Sequence, residues 1–188
     1  GSDGSPNLNN WVFSSAPAAD QAAAGGVDGK LTGTVSIDHV TTTGIDKQVG
    51  RVVFAHIHAG KDEPVRLHYR KLPNNSKGSI YFAHEPLGKK DVYYNLVGSR
   101  SKRQENPEDG VALGEKFSYE IKVVGNALTV KLFRSGKATI AKTIDMSGSG
   151  FDQSGQYHYF KAGAYMLDRT AEPDDYAEVV YYALDNTH

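Results

Sequence analysis

Phe117-Ser118-Tyr119-Glu120-Ile121-Lys122-Val123, the turn pair Gly125-Asn126, and Leu128-Thr129-Val130-Lys131-Leu132-Phe133 together carry the reading of the fold. Apolar and polar residues alternate on both sides of the turn, a period of two that sends one set of side chains to a core and the other to water. Glycine and asparagine tolerate positive φ, so the pair predicts a hairpin. Arg134-Ser135-Gly136-Lys137 turns the chain again into a strand over 138–145. Upstream, Leu31-Thr32-Gly33-Thr34-Val35-Ser36-Ile37-Asp38 alternates in the same way. Further strands are predicted over 51–59, 65–70, 79–85, 92–97, 156–165 and 176–184, and only 16–24, closing at Gly25-Gly26, reads as helix. Many strands at regular spacing with glycine turns predict an all-β, antiparallel sandwich or barrel. Residues 99–110 are polar and charged and contain Pro107, which predicts a surface loop long enough to act as a lid.

Composition bounds the function without naming it. At 188 residues the chain suits one domain with a sizeable core. A net charge of -1 offers no global attraction to nucleic acid, so any anion-binding surface must be local. There are no cysteines, which excludes disulfides and thiolate metal sites. No apolar run approaches membrane-spanning length and no signal peptide is visible. The opening Gly1-Ser2-Asp3-Gly4-Ser5-Pro6 suggests that 1–9 is a linker or a remnant of recombinant expression, with a single domain over 10–188.

Chemistry concentrates in two strands. In Tyr159-Phe160-Lys161-Ala162-Gly163-Ala164-Tyr165, alternation puts Tyr159, Lys161, Gly163 and Tyr165 on one face and Phe160, Ala162 and Ala164 on a core-facing side. A phenol, an ammonium and a glycine gap on one surface suit an acidic polymer: lysine attracts carboxylates, and tyrosine can pass a proton. His158 points opposite Tyr159, away from that face. In Arg51-Val52-Val53-Phe54-Ala55-His56-Ile57-His58-Ala59, His56 and His58 share a face, and Arg66 and Arg70 share one on the next strand. His56, His58 and His68 would bind a divalent metal only if His68 faced the same side. Asp174-Asp175 and the acidic run 105–109 read as solvated loops, and Lys89-Lys90 with 100–103 as a basic cluster able to steer a polyanion.

The Tyr159–Tyr165 run resembles the YFKAGVYNQ signature of alginate lyases of polysaccharide lyase family 7, and His56-Ile57-His58 is similar to that family's Gln-Ile-His. Asp62 to Pro73, Asn10 to Phe13, Gly26 to Gly29 and Tyr181 to His188 extend the resemblance over nearly the whole chain. It implies a β-jelly roll with one concave, substrate-lining sheet, and β-elimination of a mannuronate/guluronate polymer. The base must be near neutral pH, and histidine's ordinary pKa of ~6.5 suits it; tyrosine, near ~10, keeps a proton to deliver. By resemblance His58 is the base, Tyr165 the acid, and Lys161, His56, Tyr159, Arg66 and Arg70 are substrate contacts. Ile57 resembles members that accept guluronate. No cofactor is implied; the implied partner is acidic polysaccharide, with no nucleic acid or membrane, a monomeric state and a secreted or periplasmic location. The chain departs from the family in three places. The early Arg-Ser/Thr-Glu-Leu/Val-Arg strand is absent, His56 replaces glutamine, and Met166-Leu167 replaces Asn-Gln. Loss of the arginine that neutralises the substrate carboxylate implies a rate lower by on the order of a hundredfold unless Arg66 or Arg70 substitutes. The alternatives are a catalytically impaired polysaccharide-binding domain and a derivative with a histidine metal site.

Overall fold

The computed structural model describes residues 6–188. In chain order, the strands are β1 (Trp11–Val12), β2 (Gly26–Val27), β3 (Gly29–His39), β4 (Arg51–His58), β5 (Val65–Arg70), β6 (Lys77–His84) and β7 (Val92–Val97). There follow β8 (Val111–Ala112), β9 (Phe117–Val124), β10 (Ala127–Phe133), β11 (Ile140–Asp145), β12 (Tyr159–Met166) and β13 (Glu178–Thr187). One helix, α1 (Ala18–Ala23), lies between β1 and β2. It is shorter than predicted because Pro17 precedes it and Ala24 is already extended. The predicted hairpin forms as β9 and β10, with Gly125 at φ 55° in the turn.

Two antiparallel sheets face each other, in the orders β11-β10-β9-β3-β13 and β12-β4-β5-β6-β7, with β8 pairing β6. The core between them is built from the inward positions of both: Val35, Ile37, Tyr119, Ile121, Val130 and Leu132 from one, Val52, Phe54, Ile57, Leu67, Tyr69 and Phe82 from the other. This is the expected antiparallel sandwich of jelly-roll type. The other face of the second sheet is open, and carries Arg51, His56, His58, Arg66, His68 and Tyr81.

Residues 1–5 of the linker-like segment lie outside the described residues. From Asn7 onward the chain is anchored: Asn10 N–H donates to the Asn7 carbonyl, and His188 Nε2 meets the carbonyl of Leu8. The strand predicted from 156 begins at Tyr159, because His158 pairs instead with Trp11 through two backbone hydrogen bonds of 2.8 and 2.9 Å. His158 is fully buried, stacked on Phe13 at 4.5 Å, and burial pushes its pKa down to about 3, so it is an aromatic core element. Ala162 and Ala164 are a correction. Expected in the core, both are exposed, since β12 is the edge of its sheet and the described chain does not cover that flank.

Candidate active site

The open face is organised in rows set by strand register, successive rows lying roughly 7 Å apart along a strand. His58 pairs with Tyr159; the next row runs Lys161, His56, Arg66, Ala83, Tyr93. Then come Tyr165, Val53, His68, Tyr81, Asn95, and beyond them Arg51, Arg70, Ser79. Two irregularities make these rows. A shift between Val53 and Ala55 leaves both Phe54 and Ala55 in the core, where strict alternation would have aimed Phe54 at the histidine face. A second shift between Ala162 and Tyr165 passes through Gly163 at φ 146°, a backbone state that favours glycine. Together they set the register in which Tyr165 pairs with Val53 and so shares a row with His68.

Glu63 organises the His58 end. Its Oε1 lies 3.3 Å from His56 Nδ1 and 3.7 Å from His58 Nε2, ion-pair contacts rather than aligned hydrogen bonds. Its Oε2 lies 3.1 Å from Arg66 Nε. Burial pushes the Glu63 carboxyl up, but His56, Arg66 and His58 outweigh it and hold the pKa below its usual value. His58 Nδ1 faces the carbonyl of Ala59, which only accepts, so in the neutral ring Nδ1 carries the proton and Nε2 is free to act as base. Burial pulls the His58 pKa down, with Lys161 and His56 adding to it; the Ala59 carbonyl and Glu63 act the other way. The net direction is down, so the ring is neutral at neutral pH.

The other predicted residues divide. Tyr159 is buried with its ring 5.2 Å from His58, and Lys161 Nζ sits 5.3 Å over the Tyr159 ring. Tyr165, 45% exposed, lies two rows from His58, so the two face a common groove without a direct hydrogen bond. Arg66 is already neutralised by Glu63, Glu85 at 3.7 Å and Asp91 at 2.7 Å. Arg70 is buried and donates to the carbonyls of Arg100 and Asp46. His68 does not join His56 and His58: it is stacked on Tyr81 at 4.8 Å in another row. Among the described residues no group of three or more histidine or carboxylate side chains is arranged to hold a metal ion.

Glu63 and Arg51 escaped the sequence reading; Arg51 lines a cavity with Tyr165, His68 and Arg100, the last of which reads from the sequence only as part of the basic cluster over 100–103. One signal was available for Glu63. A pair of histidines on a strand face needs a polar partner, and the first acids beyond that strand are Asp62 and Glu63.

A family model described as alginate lyase matches residues 3–188. The chain belongs to the alginate lyase family. An alginate lyase from Klebsiella pneumoniae is 53% identical over 190 residues, covering 96% of this chain and 62% of that relative. The chain thus spans less than two thirds of that curated relative's length. A crystal structure of the alginate lyase from Klebsiella pneumoniae superposes with a TM-score of 0.96 at 51% identity, covering 98% of this chain and 68% of that one. The exolytic PL7 alginate lyase from Zobellia galactanivorans superposes with a TM-score of 0.64 at 26% identity, over 82% of this chain and 65% of that one.

Proposed function

We propose that this protein is an alginate lyase that cleaves its polymer by β-elimination, with His58 as base and Tyr165 as acid. The observation that carries the reading is the His58 Nε2 lone pair, fixed by the Ala59 carbonyl and backed by Glu63, on the same face as Lys161 and Tyr165. His58 Nε2 takes the proton from C5 of the uronate. The C–H electron pair becomes the C4=C5 double bond, the bond from C4 to the glycosidic oxygen breaks, and the Tyr165 phenol delivers its proton to that oxygen. Glu63 is the counter-ion of the imidazolium formed in this step, and Lys161 faces the substrate carboxylate as negative charge builds on it. The cycle closes when the imidazolium loses its proton and the phenolate regains one from water. No cofactor enters, because the side chains supply both acid and base.

A polymeric substrate supports action outside the cytoplasm, secreted or periplasmic, and we read the working unit as a monomer. Among the described residues no helix is long and apolar enough to cross a membrane.

The test is ultraviolet absorbance over time on alginate, with His58→Ala and Tyr165→Phe beside the unaltered protein, with and without chelator. A rising signal from unsaturated ends, lost in both variants and indifferent to chelator, supports the reading. A flat trace from folded protein that still binds alginate would replace it with a binding module.

A further inference from the structure

Three strand irregularities converge on one hydroxyl group. β4 shifts register between Val53 and Ala55, and β12 between Ala162 and Tyr165. β13 does the same between Tyr181 and Ala183, with Tyr182 left unpaired between them and its hydroxyl 3.3 Å from Ser36 Oγ. A bulge interrupts the ladder and leaves backbone polar groups to find other partners. Here the partner is a side chain from the opposite sheet. Tyr181 Oη donates to the Phe54 carbonyl, and the Gly163 backbone hydrogen-bonds the same oxygen. Phe54 is the bulge residue of β4 and Gly163 belongs to the bulge of β12, so one phenol bridges both breaks.

That hydroxyl is held from behind. Tyr119 is buried, and its own hydroxyl lies 3.2 Å from Tyr181 Oη. Because the Tyr181 proton goes to the Phe54 carbonyl, Tyr119 is the donor of this second bond. Gly33 leaves room for the pair: an added Cβ there would stand 2.7 Å from Tyr119 Oη. Burial pushes the Tyr181 pKa up, against the hydrogen bonds of Tyr119 and Gly163, so the phenol keeps its proton at neutral pH. Beyond the bulge, β12 has little else to fix it. It is an edge strand, paired there through Tyr165 to Val53 and Met166 to Val52, with the Leu167 N–H on the Arg51 carbonyl at 3.2 Å. A Cβ added at Gly163 would meet no described atom within 4 Å, so no neighbour braces the bulge from outside.

Resting on the reading of Tyr165 as the acid, we propose that Tyr181 is a positioning residue for proton delivery. Its hydroxyl locks the bulge at Gly163 and thereby fixes where the Tyr165 phenol stands. The reason lies in the order along β12. Tyr159 to Ala162 pair continuously with His58 to Ala55, so the His58 end keeps its register without help. Tyr165 comes directly after the bulge, and a one-residue slip there would turn it to the other face. Proton transfer needs the phenol within hydrogen-bond reach of the leaving oxygen, and a displacement of about 1 Å can cost on the order of a hundredfold. Tyr181 approaches from the core side, so it acts on the reaction only through Tyr165.

The test is a kinetic cycle on alginate, reading unsaturated-end formation, with Tyr181→Phe, Tyr165→Phe and the double variant. Tyr181→Phe keeps the ring and removes only the bridging hydroxyl. It is expected to lower kcat by about tenfold to a hundredfold with KM changed by less than about twofold. In the Tyr165→Phe background, assayed at high enzyme concentration, the same change is expected to cost less than about twofold, because the group it positions is gone. Gly163→Ala strains the bulge at φ 146° without touching Tyr181; it should give the same pattern, and it stands in if Tyr181→Phe does not fold. Tyr182→Phe removes a hydroxyl from the outer side of the same strand and should change kcat by less than about twofold. An unchanged kcat in folded Tyr181→Phe, an equal loss with and without Tyr165, or a comparable loss in Tyr182→Phe would overturn the positioning role and leave the lyase reading standing. No unsaturated product from the unaltered chain would overturn the lyase reading and the positioning role with it.

Discussion

At the His58 end of the open face, His56, His58 and Arg66 share the Glu63 carboxylate, and Glu85 and Asp91 close around Arg66. At the Arg51 end, two rows along the same strand pair, Arg51 and Arg70 meet only carbonyls and Arg100 meets an aromatic ring. Both ends are built around arginines, yet they are built for different work. A compensated network holds side chains in fixed relation, which a proton transfer needs, because geometry lost there is rate lost. An uncompensated cluster leaves its charge available to an incoming anion. Arg66, one of the two arginines expected on sequence grounds to substitute for the family's neutralising arginine, belongs to the first kind and is paired with Glu63.

The largest expected effect lies at the compensated end. His58→Ala and Tyr165→Phe should each lower kcat by about a hundredfold to ten-thousandfold on alginate, measured as the rate of unsaturated-end formation. Comparable activity in His58→Ala would remove the base from that end.

Glu63→Gln should lower kcat by about tenfold, and the pH profile should say why. The base works when neutral, so activity rises with pH through the His58 pKa, which burial sets below the ordinary value. Glu63 raises that pKa and Lys161 lowers it. The ascending limb should therefore move to lower pH in Glu63→Gln and to higher pH in Lys161→Met. Movement of both limbs in the same direction would show that the two residues do not act through the charge of His58.

A smaller effect separates the two arginine environments by stability. Arg66→Met strands three carboxylates and should cost about 1–3 kcal/mol in denaturant unfolding. Arg51→Met removes like-charge repulsion and should leave stability unchanged or slightly higher. Equal losses would erase the distinction between compensated and uncompensated ends.

The smallest expected effect is a control away from the face. Asp175 accepts from Thr42 N and Thr43 N, each at 2.9 Å, and from Thr43 Oγ1. Although burial opposes it, these donors hold its pKa well below the carboxylate range. A depressed pKa stabilises the fold above the unfolded value of ~3.9, and that contribution is lost as pH falls through the folded value. Asp175→Asn should slightly lower the melting temperature at neutral pH, flatten its decline in acid, and leave the pH profile of kcat in place.

Much of this was legible in the sequence. The strands Val65–Arg70 and Val92–Val97 fall where alternation put them, and the β9–β10 hairpin turns at Gly125-Asn126 as its turn chemistry requires. His56 and His58 share a face because period two is a local property of any extended chain. Ala162 and Ala164 show the limit: alternation assigns a face, but whether that face is covered depends on the neighbouring layer. Phe54 shows another, since one bulge residue reverses which side chains reach the core and local pattern does not reveal the bulge. Glu63, Arg51 and the grouping of Arg51 with Arg70 and Arg100 were missed because charges are partnered through space.

By itself the sequence determined the strand positions, the antiparallel sandwich and the residue types able to move a proton, because these depend on near-neighbour periodicity and on side-chain chemistry. Only the tertiary structure decided which cations are spent and which are free. Asp91 reaches Arg66 across 25 residues, and Arg70 is held by the Arg100 carbonyl across 30. Coulomb energy falls with distance in space and takes no account of separation along the chain, so neutralisation is a property of the folded sheet.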